Sequence, residues 1–251
     1  MTIENIFYIF YSFVQGITEF IPISSSGHLN FLELIYDSSN NRNFLYETSA
    51  HFASLLALLL YLYKYKHFNF ENLKTIFLPI ILGTFPAIIV GFFIITHNVN
   101  LISMKLIGFM SIIGGVILYI SDSKMIERLQ INNKNIKFLI AGFFQCLAFL
   151  PGFSRSGSCI IAFRILGDKR RTSSVNSLYL GVPIIVLSFL SNFKDYETMI
   201  FDFNLVIIFI ITFLVAYITL ILFIKFIETI SFTPFVVYRI FFGAVILIYF
   251  N

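Results

Sequence analysis

The stretch ISSSGHL, Ile23 to Leu29, decides how this chain is read. It follows a run, Asn5 to Pro22, that otherwise looks like the start of a membrane helix. Three serines, a glycine and a histidine are poor residues to face lipid, and Pro22 just before them breaks helical hydrogen bonding. Broken backbone at membrane depth is tolerated only where protein packs around it or where it lines a cavity.

The surroundings are those of a membrane protein. The chain has 251 residues, 58% hydrophobic and 12% charged, with a mean hydropathy of +0.89. That is too little charge to cover a soluble domain. Ile76–Ile95, Leu101–Ile120, Leu205–Ile227 and Phe235–Phe250 are each long enough, or nearly so, to cross a hydrocarbon core of ~30 Å. The start, MTIENIF, has neither the basic n-region nor the cleavage site of a removable signal peptide. Cys146 and Cys159 sit in apolar surroundings and read as small filler. The net charge of +4 gives no reason to expect nucleic acid; in such a chain basic residues mainly set topology.

The serine stretch recurs. QGITEFIPISSSGHL from Gln15 and QCLAFLPGFSRSGSC from Gln145 share a glutamine, an apolar turn, a proline and an SxSG step. After each come three long apolar segments, near 45–62, 76–95 and 101–120, then near 175–192, 204–227 and 234–250. The expected fold is all-α: a polytopic membrane protein, one integral domain of two inverted-topology repeats, about 1–125 and 126–251. It would have about six transmembrane helices and two re-entrant helical hairpins. A helix that enters, breaks at the serines and leaves by the same side gives each half an odd number of crossings and inverts the second half, as in many transporters. Basic residues favour one face, that of loops 63–75, 121–137 and 166–173; the opposite loops, 35–44, 96–105 and 192–204, carry only Arg42, Lys105 and Lys194. The positive-inside rule puts the first face in the cytoplasm and both termini outside.

Ionisable residues at membrane depth mark function by default. Glu19 and His28 lie in the first hairpin, with Ser24, Ser25, Ser26 and Gly27; Arg155 lies in the second, with Gly152, Ser154, Ser156 and Gly157. If the tips meet, a carboxylate, an imidazole, a guanidinium and several hydroxyls converge. Arginine presents a planar fork to phosphate oxygens, and backbone N–H groups at a glycine turn or a helix start cradle anions. The alternatives are ordinary: Ser24 to Ser26 as helix caps, His28 as a packing residue, Glu19 or Arg155 reaching the interface. His51, within an apolar helical run, reads as structural.

These two signatures resemble those of the undecaprenyl-diphosphate phosphatases, bacterial membrane enzymes linked with bacitracin resistance. The likeness extends to FLYETSAHFASLLALLLYLY, ILGTFPAIIVGFF, SLYLGVPIIVL and YRIFFGAVIL. It implies hydrolysis of undecaprenyl diphosphate to the monophosphate carrier lipid for peptidoglycan synthesis, at the outer face of the bacterial inner membrane. By motif position it makes Glu19, Ser25, His28 and Arg155 catalytic, Ser25 being the favoured nucleophile with His28 or Glu19 as its base. Gln15, Ser24, Ser26, Gly27, Gly152, Ser154, Ser156 and Gly157 would contact substrate. Two departures stand out. Gln15 replaces a frequent Glu, leaving one carboxylate, so a bridging Mg²⁺ or Ca²⁺ stays open, with Glu19 its protein ligand. Cys159 replaces a Thr. Water activated by Glu19 is the competing nucleophile, a homodimer stays open, and the same architecture would also suit a lipid-phosphate flippase or other transporter.

Overall fold

The computed structural model describes residues 3–36, 44–65, 70–99, 101–123, 129–192 and 203–250. Lys66, Lys124 and Arg128 of the basic loops, and Arg42 and Lys194 of the opposite ones, lie outside them. The described residues form ten α-helices and no strand. These are α1 (Ile3–Thr18), α2 (Ser25–Ile35), α3 (Phe44–Lys64), α4 (Phe70–Thr96) and α5 (Met104–Asp122), followed by α6 (Lys134–Gln145), α7 (Arg155–Ile165), α8 (Arg170–Asn192), α9 (Phe203–Ile227) and α10 (Thr233–Tyr249). Each of the six long apolar segments is one continuous helix. Among the described residues, four helices (α4, α5, α8 and α9) have the length and apolarity to cross a membrane, and α10 is a shorter apolar helix. The protein is an all-helical, multi-pass membrane protein. On α4, Phe77, Phe85, Phe92 and Ile95 are exposed, as expected of side chains that meet lipid rather than water.

Each serine-bearing unit is a helical hairpin, α1 with α2 and α6 with α7. α6 has 12 residues and α7 has 11, so at 1.5 Å per residue each is about 18 Å long or less, short of a bilayer core. Their outer ends meet again: Lys137 on α6 pairs with Asp168 beyond α7, and Leu129 N–H donates to the Ile165 carbonyl. In the first hairpin Phe7 near the start of α1 stacks on Tyr36 at the end of α2, with centroids 4.3 Å apart.

The hairpins open at opposite ends of the bundle. The first opens beside the starts of α3 and α9, where Tyr8 meets Tyr46 edge-on and Ser49 Oγ donates to the Leu205 carbonyl. The second opens at a charged end where α5, α7, α8, α9 and α10 converge. There Asp122 accepts from Arg164, Arg170 and the Phe232 N–H, and Arg171 pairs with Glu228. Lys134, Lys137, Lys169, Arg170 and Arg171 share this basic end.

Helices of the two halves interdigitate: α1 packs on α9, α4 on α6 and α5 on α10. Small residues permit the closest approaches. A Cβ on Gly142 of α6 would sit 2.2 Å from the Gly83 carbonyl oxygen of α4, and one on Gly243 of α10 would sit 2.6 Å from that of Gly108 on α5. Such contacts drive association where lipid offers no hydrophobic contrast.

Candidate functional site

The elbows of the two hairpins are built alike. Ser24 and Ser154 each have φ of 78°, rare for a residue with a side chain, and each caps the next helix by accepting from an N–H three residues on, Gly27 and Gly157. Strain of this kind persists only where surrounding structure enforces it, and it gathers at functional sites. The first-turn N–H groups of α2 and α7 have no intrahelical acceptor and carry the positive ends of the helix dipoles.

The elbows touch. Ser156 Oγ donates to the Ile21 carbonyl at 2.9 Å. Gly152, at φ 95°, lies so close to α5 that a Cβ would sit 2.4 Å from the Ile107 carbonyl oxygen, and a Cβ on Gly27 would meet Gly152 Cα at 3.4 Å.

Across this junction runs a chain of polar contacts. Arg155 donates to Glu19 Oε1 at 2.8 Å, and Ser25 Oγ donates to Glu19 Oε2 at 3.0 Å. Gln15 Nε2 donates to the same Oε2 at 3.0 Å and lies 3.0 Å from His51 Nδ1. The carboxylate is buried, and paired as a buried charge must be. Glu19, Ser25, His51 and Arg155 line a cavity of about 230 Å³, with Ser24, Ser26, Ser154 and Gln145, bounded on its apolar side by Ala87, Phe149, Ile184 and Ile185. Among the residues singled out from sequence, Glu19, Ser24, Ser25, Ser26, Ser154 and Arg155 are in that lining. Gln15 stands behind Glu19; Gly27, Gly152, Ser156 and Gly157 build the junction rather than the wall.

His28 goes elsewhere. Its Nδ1 lies 2.7 Å from the Ser24 carbonyl oxygen, which only accepts, so Nδ1 carries a proton. Nε2 is 2.7 Å from the Tyr238 hydroxyl, and the ring stacks on Phe242 at 4.0 Å. Both nitrogens are engaged away from Ser25, and the ring is not in the cavity lining. They are thus committed to Ser24 and Tyr238, and the ring packs against α10.

Three further residues stand at this site: His51, read from sequence as structural, and Arg239 and Gly181, which the sequence did not single out. His51 lines the cavity and bonds Gln15; a histidine within an apolar run was its signal. Arg239, the one charged residue of α10, is fully buried. It donates to the Pro22 carbonyl of the first elbow, to Gly152 and Phe153 of the second, and to Met110 and Ser111 of α5. One guanidinium therefore ties both elbows to one helix.

Gly181 on α8 is the third. A Cβ there would sit 2.1 Å from Arg155 Nη1, so only glycine leaves the guanidinium its seat. Nη1 itself is buried without a hydrogen-bond partner. Gly181→Ala is expected to push Arg155 off Glu19 and lower turnover about tenfold, given that overpacking of ~1–3 kcal/mol falls on the Arg155 contact. Turnover of purified Gly181→Ala within twofold of wild type would show that the guanidinium has room to yield.

The family model of the bacitracin resistance protein BacA matches residues 8–245. A protein of Pelagibacter ubique named undecaprenyl-diphosphatase is 35% identical over 243 residues, which cover 94% of each chain. One of the same name from Sulfurimonas denitrificans is 34% identical, covering 95% of this chain and 96% of its own. A third, from Deinococcus radiodurans, is 33% identical, covering 95% and 92%.

Proposed function

This chain belongs to the family of the bacitracin resistance protein BacA, and from that premise we propose that its intramembrane cavity removes the terminal phosphate of undecaprenyl diphosphate. The protein is a membrane phosphatase; its lipid product returns to peptidoglycan synthesis. The transporter alternative is not favoured, since the relatives are named for a phosphatase. The observation that carries the mechanism is the Ser25–Glu19–Arg155 chain joining the two elbows at the cavity wall.

The substrate's terminal phosphate sits between the N-termini of α2 and α7. Arg155 Nη1 and the first-turn N–H groups hold its oxygens and stabilise the charge of the transition state. Ser25 Oγ attacks the terminal phosphorus while Glu19 Oε2 takes its proton, and the bridging P–O bond breaks to release undecaprenyl phosphate. Water then displaces Ser25 Oγ from phosphorus, and Glu19 returns the proton to that oxygen. Glu19 is the base in place of His28 because it already accepts from the Ser25 hydroxyl. His28 acts through position, pinning α2 to α10.

A divalent cation, Mg²⁺ or Ca²⁺, fits beside Glu19 if the substrate's own phosphate oxygens supply most of its ligands. The Gln15 Oε1 atom is buried with no hydrogen-bond partner and is a suitable hard donor. Among the described residues no group of three or more His, Cys, Asp or Glu forms a protein-only cage. Bound there, the cation would neutralise phosphate charge.

The orientation belongs to the same proposal: two inverted repeats, about 1–125 and 126–251, in the bacterial inner membrane, with the basic end cytoplasmic and the active site toward the outside. The gathering of Lys134, Lys137, Lys169, Arg170 and Arg171 at one end supports it. Ser25→Ala separates the serine route from direct attack by water. Phosphate release from undecaprenyl diphosphate should fall by at least about a hundredfold. Acid quenching of wild type with terminally labelled substrate should trap label on Ser25. Near-normal turnover in Ser25→Ala would leave water as the nucleophile.

A further inference from the structure

The polar cavity does not end at its apolar wall. Ala87, Phe149, Ile184 and Ser188 also line a second space of about 370 Å³, which continues between α4 and α8 past Gly91, Phe92 and Leu187 to Ile95. Phe92, Ile95 and Leu187 are exposed, so this groove opens sideways where lipid would be. It is almost wholly apolar, while the cavity behind it holds Glu19, Ser25 and Arg155.

The pairing of the two hairpins makes the groove's inner threshold informative. In the register set by Gln15 with Gln145 and Ser24 with Ser154, Arg155 stands opposite Ser25, and Phe149 stands opposite Glu19. The first hairpin thus places an acid at the position where the second places a phenyl ring. One hairpin supplies the reacting carboxylate; the other supplies the apolar doorway. Across that doorway lies Gly91, where a Cβ would be 3.0 Å from the Phe149 ring.

We infer that this groove between α4 and α8 holds the first isoprene units of the substrate's polyprenyl chain, with Phe149 and Gly91 forming its threshold. The inference rests on the phosphatase reading above and adds the location and direction of the lipid tail. Continuity with the phosphate cavity commits the groove to one occupant, the chain attached to the phosphate. A bulk lipid acyl chain would have no reason to reach Arg155. The direction follows from the helices. α4 and α8 both run away from the basic end, and the groove leads from Ala87 toward Ile95 and from Ile184 toward Leu187. The chain therefore enters from the leaflet opposite the basic end.

The groove gives tail recognition a local address. Burying hydrocarbon there favours long-chain substrates, while the phosphate contacts are shared by all diphosphates. Gly91→Leu fills the groove against Phe149, and glycine to leucine is favourable within a helix. The ratio of KM for undecaprenyl diphosphate to KM for isopentenyl diphosphate should rise about tenfold, the scale of a few methylenes lost from an apolar pocket. Leu187→Gln, at an exposed groove position, should move the ratio in the same direction without adding bulk. A ratio unchanged in both variants, each folded, would overturn the inference.

A binding measurement separates this inference from the catalytic one. A prenyl monophosphate with a diazirine on its first isoprene units should, on irradiation of wild-type protein in detergent, label the segments 87–95 and 184–188. Labelling there with no hydrolytic activity would sink the phosphatase reading and keep the groove. Hydrolysis with labelling confined to other helices would do the reverse.

Discussion

Arg155→Ala will lower phosphate release from undecaprenyl diphosphate by about a thousandfold, the scale on which an arginine contributes to phosphoryl transfer. Two losses combine. The terminal phosphate loses the Nη1 donor, and Glu19 loses its 2.8 Å partner. Breaking a buried pair by removing one member leaves an uncompensated charge and costs about 3–5 kcal/mol. The thermal transition of the variant should fall as well. Glu19→Gln in the same chain separates the two effects. With both charges gone, thermal stability should recover in large part, because no unpaired ion remains, while turnover stays low. Arg155→Lys should keep some stability and little turnover, since an ammonium is a point charge and lacks the planar fork. Malachite-green detection of phosphate and a melting curve in detergent measure both. A rate for Arg155→Ala within tenfold of wild type would remove the guanidinium from the reaction.

Arg239→Leu should have the largest effect on stability. The side chain is fully buried and bonds five carbonyls in three segments of chain. Leucine strands the Pro22, Gly152 and Phe153 carbonyls, which lie outside helices, while those of Met110 and Ser111 keep their partners within α5; each buried group so stranded costs about 1–3 kcal/mol. Relaxation of the elbows will recover part of that at the expense of the site, because Pro22, Gly152 and Phe153 are what place Ser25 and Arg155. Arg239→Leu is therefore expected to aggregate or to melt at least about 10 °C lower, given that about 1 kcal/mol shifts a chain of this size by roughly 2–4 °C. Arg239→Lys reaches fewer carbonyls and should fall between. In Arg239→Lys, turnover at saturating substrate should drop more than affinity, since the elbow geometry aligns the reacting atoms while the tail is held by α4 and α8. A protein with Arg239→Leu that melts and turns over as wild type would show that the elbows hold themselves.

The buried arginines show how far the sequence could be read. Arg155 was legible because it sits in a serine- and glycine-rich break where a charge has no ordinary reason to be. Arg239 carried the same signal, a charge within the apolar run Phe235–Phe250, yet nothing local says what it bonds. Its partners lie at residues 22, 110, 111, 152 and 153, and only their meeting explains it. His28 shows the converse. Its place in the motif suggested a base next to Ser25, but the ring turns to Tyr238 and Phe242 on a helix more than two hundred residues away.

The six long helices and the two breaks were determined by sequence alone. A bilayer core has no water to satisfy backbone groups, so apolar run length, prolines and serine–glycine steps carry that information locally. That the two hairpins open at opposite ends of the bundle also followed, through the parity of the crossings in each half. What only the tertiary structure decided is which side chains meet: Glu19 with Arg155, Gln15 with His51, Arg239 with both elbows, and the cavity with its apolar groove. These pairings join residues tens to hundreds of positions apart, and they depend on how helices cross and rotate in packing, for which no local periodicity supplies a register.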